Sequence, residues 1–133
     1  MSPRVYSVEE ANQALREVRR LVERIVDVTP ELPELTETVH IKEHRFRRDG
    51  AGEVEQEELA QAVAALRAAE MAFVDAAQRL QAMDVTLKDP RAGLVDFLGE
   101  RGGETVELCW RLGEARVANW HRIGEGFAGR KPL

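Results

Sequence analysis

Three residues in the last third of the sequence have side chains that bind metals or carry out nucleophilic chemistry. Asp96, Cys109 and His121 offer the oxygen, sulfur and nitrogen ligands of a zinc site. A cysteine beside a histidine and an acid or amide is also the arrangement of a nucleophilic enzyme. The further ligand-binding candidates in the same segments and in the tail are Glu107, Arg111, Asn119 and Arg130.

The alternation of apolar and polar residues predicts which of these side chains share one face of a β-sheet. In the segment ETVELCWRL, every second residue from Val106 onward is apolar. The polar residues between them, Glu107, Cys109 and Arg111, should therefore lie on the opposite face. In GLVDFL, the same reasoning places Asp96 on that polar face.

The last strand, RVANWHRI, is compatible with two registers. If Trp120 is buried, Asn119 and His121 join the polar face, and the preceding hairpin loop must have an odd length, such as the three residues 113–115. In the other register, His121 faces the core as a hydrogen-bonded core histidine. The alternation alone leaves both registers open.

The polar face has three interpretations. Thiolate and imidazole suit zinc, and Asp96 and water could complete the coordination of Cys109 and His121. Arg111 favours an anion instead, such as a carboxylate of a small molecule held by two hydrogen bonds. The third interpretation is an ordinary solvated face with an Asp–Arg pair. Catalysis by a metal or by the cysteine remains the alternative to simple binding.

A pair of histidines in the middle of the sequence is a weaker second candidate for a metal site. His40 and His44 are four residues apart, so they share one face of a predicted helix. Glu58 should lie near them across the following turn. Glu37 and His40 form the Glu-x-x-His step of di-iron bundles, but the facing helix lacks carboxylates at the required height.

Two motifs point weakly to nucleic acids or nucleotides. The segment HIKEHRFRR has a basic face that could contact nucleic acid, although the net charge of −5 disfavours a dedicated nucleic-acid-binding protein. Its basic residues are Lys42, Arg45, Arg47 and Arg48. The segment GEGFAG at 124–129 spells G-x-G-x-x-G, but only four residues follow it. A dinucleotide site needs a helix there, so this interpretation is rejected.

The predicted elements make the protein an α+β domain spanning residues 1–133. A long antiparallel helical hairpin with a kinked first arm occupies 7–83, and a small antiparallel β-meander with a tail occupies 84–133. The first helix should begin with a capping box of Ser7 and Glu10 and carry a heptad-like apolar stripe. A break at Pro30 and Pro33 precedes a second helix over 34–48. A third helix follows over 53–83.

Four strands are expected in the meander, in the segments VTLKDP, GLVDFL, ETVELCWRL and RVANWHRI. The glycines between them supply the turns of hairpins. The tail that follows should be turn-rich, with Phe127 and Leu133 docked on the body of the protein.

The composition of the sequence and the lengths of its apolar runs exclude several classes of protein. The single cysteine excludes an internal disulfide and fits the cytoplasm, and no apolar run is long enough to span a membrane. The helical stripes leave apolar surface that a second copy could cover, which predicts a homodimer. The leading hypothesis is a non-enzymatic binding or assembly protein, and the alternative is a metal- or cysteine-dependent enzyme.

Several segments resemble a bacterial family of uncharacterised proteins, number 2203 among the domains of unknown function. The similar segments are RVYSVEEAN near the start and GLVDF, LCWRLGE, WH and GFAGRKPL near the end. The resemblance implies a helical arm plus a C-terminal β-module, and it implies no activity. Its signature residues in this sequence are Asp96, Cys109, Trp110, Arg111, Trp120, His121, Gly129 and Arg130. Where the family often ends in Gln-Pro-Leu, this chain has Lys131, Pro132 and Leu133.

Overall fold

The fold is α+β, as predicted. A computed structural model of the protein describes residues 2–50 and 52–133. Three helices precede five strands along the chain. The elements are α1 Val8–Val28, α2 Glu31–Asp49, α3 Glu53–Ala82, β1 Val85–Asp89, β2 Leu94–Arg101, β3 Glu104–Arg111, β4 Asn119–Arg122, a 3₁₀ turn at Phe127–Gly129 and β5 Lys131–Pro132.

The first helix begins where its capping signal predicts. The Glu10 backbone N–H donates to Ser7 Oγ at 3.0 Å, and the Ser7 backbone N–H donates to Glu10 Oε1 at 2.9 Å. These reciprocal bonds satisfy two donors that have no partner within the helix. The predicted apolar stripe is buried except at its first member, Val8, which is exposed. The buried residues of the helix are Ala11, Leu15, Val18, Leu21, Val22, Ile25 and Val28.

The second helix is longer than predicted at its start. It begins at Glu31 rather than Glu34, with Pro30 at the N-cap and Pro33 in the first turn. Proline is tolerated there because the first backbone N–H groups of a helix have no acceptor within it. The predicted kink is therefore a break between Val28 and Glu31, and Pro33 does not prevent helix formation.

The third helix forms the long arm of the hairpin and contacts both preceding helices. Lys42 Nζ lies 3.1 Å from Glu58 Oε2, which links α2 to the start of α3. Further along α3, Asp75 Oδ2 lies 3.3 Å from Arg24 of α1. Among the described residues, no helix has both the length and the apolar character needed to cross a bilayer.

The sheet is an antiparallel meander in which strands β1 to β5 lie in chain order. The four predicted strands are present, but β4 begins at Asn119, so the loop before it spans 112–118 rather than 113–115. The fifth strand comes from the tail, where Lys131 pairs with Trp120. The tail is therefore part of the sheet.

One core joins the helices to the sheet. The Tyr6 backbone N–H donates to Leu98 O at 2.7 Å, and the Tyr6 hydroxyl donates to Met83 O at 2.5 Å. The Tyr6 ring packs edge-on against Phe97 with centroids 5.1 Å apart. The core is completed by residues of the sheet and of the loop before β4, namely Val85, Val95, Phe97, Val106, Leu108, Trp110, Val117 and Trp120.

Candidate functional site

Strand register brings the predicted metal ligands onto one face of the sheet. Asp96 of β2 pairs with Cys109 of β3, and Glu107 pairs with His121 of β4. Directly paired residues of antiparallel strands point to the same face. Trp120 pairs with Leu108 of the core, so the register with Trp120 buried is confirmed and the one with a core-facing His121 is wrong.

The three side chains form a compact buried cluster. One ligand atom from each of Asp96, Cys109 and His121 lies within 4.8 Å of the other two. The exposed fractions of these residues are 3%, 0% and 1%. His121 Nε2 lies 3.2 Å from Asp96 Oδ2. Burial of three potential ligands this close together distinguishes the cluster from a solvated polar surface.

The hydrogen bonds of His121 determine what its second ring nitrogen can do. His121 Nδ1 lies 2.8 Å from the Arg122 carbonyl oxygen, which can only accept a hydrogen bond. Nδ1 must therefore carry the proton. Nε2 then faces Asp96 as a second N–H, as the acceptor of a proton held by the Asp96 carboxyl group, or as a free lone pair that a cation can use. An Nδ1–H donated to a carbonyl is also the usual support of a metal-bound histidine.

The surroundings of Cys109 disfavour the thiolate form of its side chain. Burial raises the pKa of the Cys109 thiol to about 12, and the nearby Asp96 carboxylate adds to the effect. At neutral pH the thiolate population is then only about one part in 10⁵, because each pKa unit is a factor of ten. Since the thiolate is the nucleophile, this environment disfavours cysteine catalysis.

Glu107 lies at the edge of the cluster. Its side chain is 13% exposed, and Lys88 Nζ lies 3.9 Å from its Oε2. Burial raises the pKa of the Glu107 carboxyl, and the neighbouring Asp96 carboxylate raises it further. Glu107 therefore offers a carboxyl group on the same face of the sheet, beside the cluster of Asp96, Cys109 and His121.

A tail arginine covers the cysteine. Arg130 Nη1 lies 4.0 Å from Cys109 Sγ, and the same guanidinium binds both carboxylate oxygens of Glu114 at 3.0 and 2.5 Å. Arg130 accordingly lowers the pKa of the Glu114 carboxyl. Sequence reasoning missed Glu114, because it lies in the loop 112–118 and nothing local links it to a residue sixteen positions later.

Two of the predicted ligand-binding residues lie outside the cluster. Arg111 is exposed, and its guanidinium is 5.8 Å from the Phe127 ring centroid. Asn119 is half-buried and pairs with Cys109 in the register. The expected role of Arg111 beside the polar face is thus taken by Arg130, which arrives from the tail.

The other candidate motifs form no comparable site. His40 and His44 are exposed on α2, and Glu58 pairs with Lys42 instead of either histidine. The described ranges 2–50 and 52–133 contain no second cluster of three metal ligands. At the arm tip, Arg47 and Arg48 pair with Glu43 and Asp49. The segment GEGFAG ends in the 3₁₀ turn that leads into β5.

Together the fold and the cluster define an α+β protein with a buried Asp–Cys–His site on a small meander sheet. The chain belongs to the family of uncharacterized conserved proteins DUF2203, whose sequence profile matches residues 4–133. The resemblance noted in the sequence is thereby confirmed. Comparisons with curated proteins and with solved structures give no match.

Proposed function

We propose that the protein binds a divalent transition metal of the zinc class between Asp96, Cys109 and His121. The observation that carries the proposal is the closeness of three buried ligand atoms, all within 4.8 Å. In a tetrahedral zinc site the nitrogen and oxygen ligands are about 3.4 Å apart and the sulfur and nitrogen ligands about 3.6 Å. The His121–Asp96 distance of 3.2 Å is close to the first value.

An unpartnered carboxylate oxygen supports a cation at this position. Asp96 Oδ1 is buried and has no hydrogen-bond partner among the described residues. A buried, unpaired charged oxygen is costly, and buried charges in proteins are normally paired or coordinate metals. A metal ion would satisfy this atom together with His121 Nε2.

The charge balance also favours a metal. With a divalent ion, the Asp96 carboxylate and the Cys109 thiolate sum to zero with the metal. The nearest guanidinium, that of Arg130, is neutralised by Glu114. The paired Arg130 guanidinium therefore does not oppose the binding of a cation at this site. Three protein ligands leave one coordination position for water or an additional oxygen ligand.

Cobalt substitution tests the proposal on tag-free protein that has first been stripped with a chelator. Co²⁺ should bind at one equivalent per chain and produce a sulfur-to-cobalt charge-transfer band, because Cys109 is the only cysteine. Zn²⁺ should displace the cobalt and abolish the band. Asp96→Asn and His121→Ala should weaken binding by at least about tenfold.

The matched control is His40→Ala, which removes an exposed imidazole from α2. It should leave the stoichiometry and affinity unchanged. Cys109→Ser, a conservative change, should abolish the band while circular dichroism shows the fold retained. Absence of the band in wild type, or a loss of metal in His40→Ala that matches the loss in His121→Ala, would refute the site.

Self-association through α3 is a second candidate property, favoured by exposed apolar side chains on its outer face. Met71 is 72% exposed and Val74 is 48% exposed. Arg67 and Asp75 lie four residues before and after Met71. An antiparallel contact between two copies centred on Met71 would therefore place Arg67 of one copy opposite Asp75 of the other.

Light scattering coupled to size exclusion tests this dimer. Wild type should elute with twice the chain mass of 15.0 kDa. Met71→Glu should give the monomer mass, because two carboxylates would meet at the centre of the contact. Gln13→Glu adds a carboxylate at an exposed position of α1, away from the outer face of α3; it is the control and should remain dimeric. A monomeric wild type at micromolar concentration would exclude the dimer.

A further inference from the structure

The other face of the sheet carries an unusual concentration of cations around one tryptophan. Three cationic groups lie close to the Trp120 ring centroid: the Arg101 guanidinium at 4.8 Å, Lys131 Nζ at 5.0 Å and the Arg122 guanidinium at 5.6 Å. We call this group the Trp120 cluster. Gathering three like charges at one indole is unfavourable unless negative charge compensates them.

Strand pairing explains how the cluster forms. Lys131 of β5 pairs directly with Trp120. Arg122 lies two residues after Trp120 on the same strand, so both side chains point to the same face. Arg101 comes from the end of β2. Residues far apart in the sequence are therefore brought together only by the completed sheet.

The carboxylates of the protein compensate the cluster incompletely. Arg122 Nε lies 3.4 Å from Glu104 Oε1, and Lys131 Nζ lies 3.7 Å from Glu125 Oε1. Within 2–50 and 52–133, no carboxylate forms an ion pair with Arg101. The cluster thus has a net positive charge at Arg101.

The indole N–H of Trp120 is a second observation that points to a missing acceptor. Trp120 is 8% exposed, and its Nε1 is buried without a hydrogen-bond partner among the described residues. The other tryptophan differs, since Trp110 Nε1 donates to Glu114 O at 3.1 Å. A buried indole donor usually has a partner, and leaving it unpaired costs free energy.

We infer that the Trp120 cluster is a binding site for a small phosphate monoester or inorganic phosphate. A phosphate dianion presents three or more acceptor oxygens and nearly two negative charges. It could accept from the Trp120 indole and from Arg101 and Lys131 at once. A carboxylate offers one charge and two oxygens, so it matches this set of donors less well.

The site is independent of the proposed metal centre. The Trp120 side chain lies on the core face of the sheet, whereas His121, the next residue, lies on the opposite face with Asp96 and Cys109. Phosphate binding is therefore measured on metal-free protein, and its outcome does not depend on whether the metal proposal is correct.

Nuclear magnetic resonance of ¹⁵N-labelled protein tests the inference. The two tryptophan indole N–H signals are assigned with Trp120→Phe, which removes one of them. Inorganic phosphate is titrated at constant ionic strength and constant pH. The Trp120 indole signal should move downfield and saturate, while the Trp110 signal should stay in place because it already has an acceptor. Glycerol phosphate distinguishes a preference for an ester from a preference for the free ion.

Variants identify the groups that bind. Arg101→Gln should weaken phosphate binding by about tenfold. Trp120→Phe should weaken it by at least about tenfold through loss of one charge-assisted hydrogen bond. Because this variant lacks the indole signal, its phosphate binding is measured by calorimetry. Arg91→Gln makes the same charge change in the turn between β1 and β2 and should have no effect. The inference is overturned if the Trp120 signal does not move, if acetate moves it equally, or if Arg91→Gln weakens binding as much as Arg101→Gln.

Discussion

Replacing Cys109 by alanine should make the free energy of unfolding less sensitive to a rise in pH above about 9. Burial raises the pKa of the folded-state thiol from its ordinary value of 9.0 to about 12. Because the folded pKa exceeds the unfolded pKa, the contribution of the thiol to stability is complete below about pH 9 and declines as the pH rises towards 12. Each pH unit in that interval costs about 1.4 kcal/mol.

The size of the stability loss at alkaline pH follows from the folded and unfolded pKa values of the thiol. At pH 10 the unfolded chain has lost the thiol proton almost completely while the folded protein retains it, so the penalty is about 1.4 kcal/mol relative to neutral pH. Alanine at this position has no proton to lose. The cavity that it leaves lowers stability equally at every pH, so it does not contribute to the difference.

Urea unfolding of metal-free wild type and Cys109→Ala at about pH 7.5 and about pH 10 measures this effect. The stability advantage of wild type over the variant should shrink by about 1.4 kcal/mol between the two conditions. Other groups that titrate in this range, such as Tyr6, whose pKa burial also raises, are present in both proteins and cancel. An equal loss of stability in both proteins would refute the assignment of Cys109 as a buried thiol. With saturating zinc, the stability advantage of wild type over the variant should instead grow between the two pH values, because the metal binds the thiolate.

Three further substitutions test the packing around the site. Tyr6→Phe leaves a backbone carbonyl without its donor and should cost about 1–3 kcal/mol in urea unfolding, whereas an unchanged midpoint would contradict the bond. Gly93→Ala should lower stability by roughly 2 kcal/mol in thermal unfolding, because Gly93 has φ +72° and an added Cβ would lie 2.7 Å from Leu112 Cβ. An unchanged melting temperature would show that the turn relaxes around the added methyl group. Arg130→Gln should speed hydrogen exchange of the Leu133 backbone N–H, which donates to Ala118 O, while lowering global stability by no more than about 1 kcal/mol because the ion pair with Glu114 is partly exposed. Unchanged exchange would contradict the role of Arg130 in holding the tail.

Local sequence patterns predicted the helices and most strands correctly, because helix capping and the periodicity of apolar side chains depend on residues close together in the sequence. The Ser7–Glu10 capping box involves residues three apart, and the stripe of α1 repeats every three or four residues. The error at the start of α2 has an equally local origin. Pro33 indicates an interruption when its position in the helix is unknown, whereas a proline in the first turn of a helix loses no hydrogen bond.

The polar face was partly predictable. Alternation placed Asp96 and Cys109 on one face, since side chains of a strand alternate with a period of two. The position of His121 depended on the hairpin loop before β4, whose seven residues carry no turn signature that specifies a register. Both registers satisfied the alternation, so only the pairing of Trp120 with Leu108 decided between them.

The family, the α+β order of elements, the capped first helix and the residue types capable of binding a metal can all be read from the amino-acid sequence. These features depend on composition, short-range periodicity and chemical type. The folded structure is needed to show that Asp96, Cys109 and His121 meet, that Arg130 lies over the cysteine with Glu114 as its partner, and that the tail adds a fifth strand. These contacts join residues that loops of variable geometry separate, and their formation requires the burial energy of the complete core rather than any local preference.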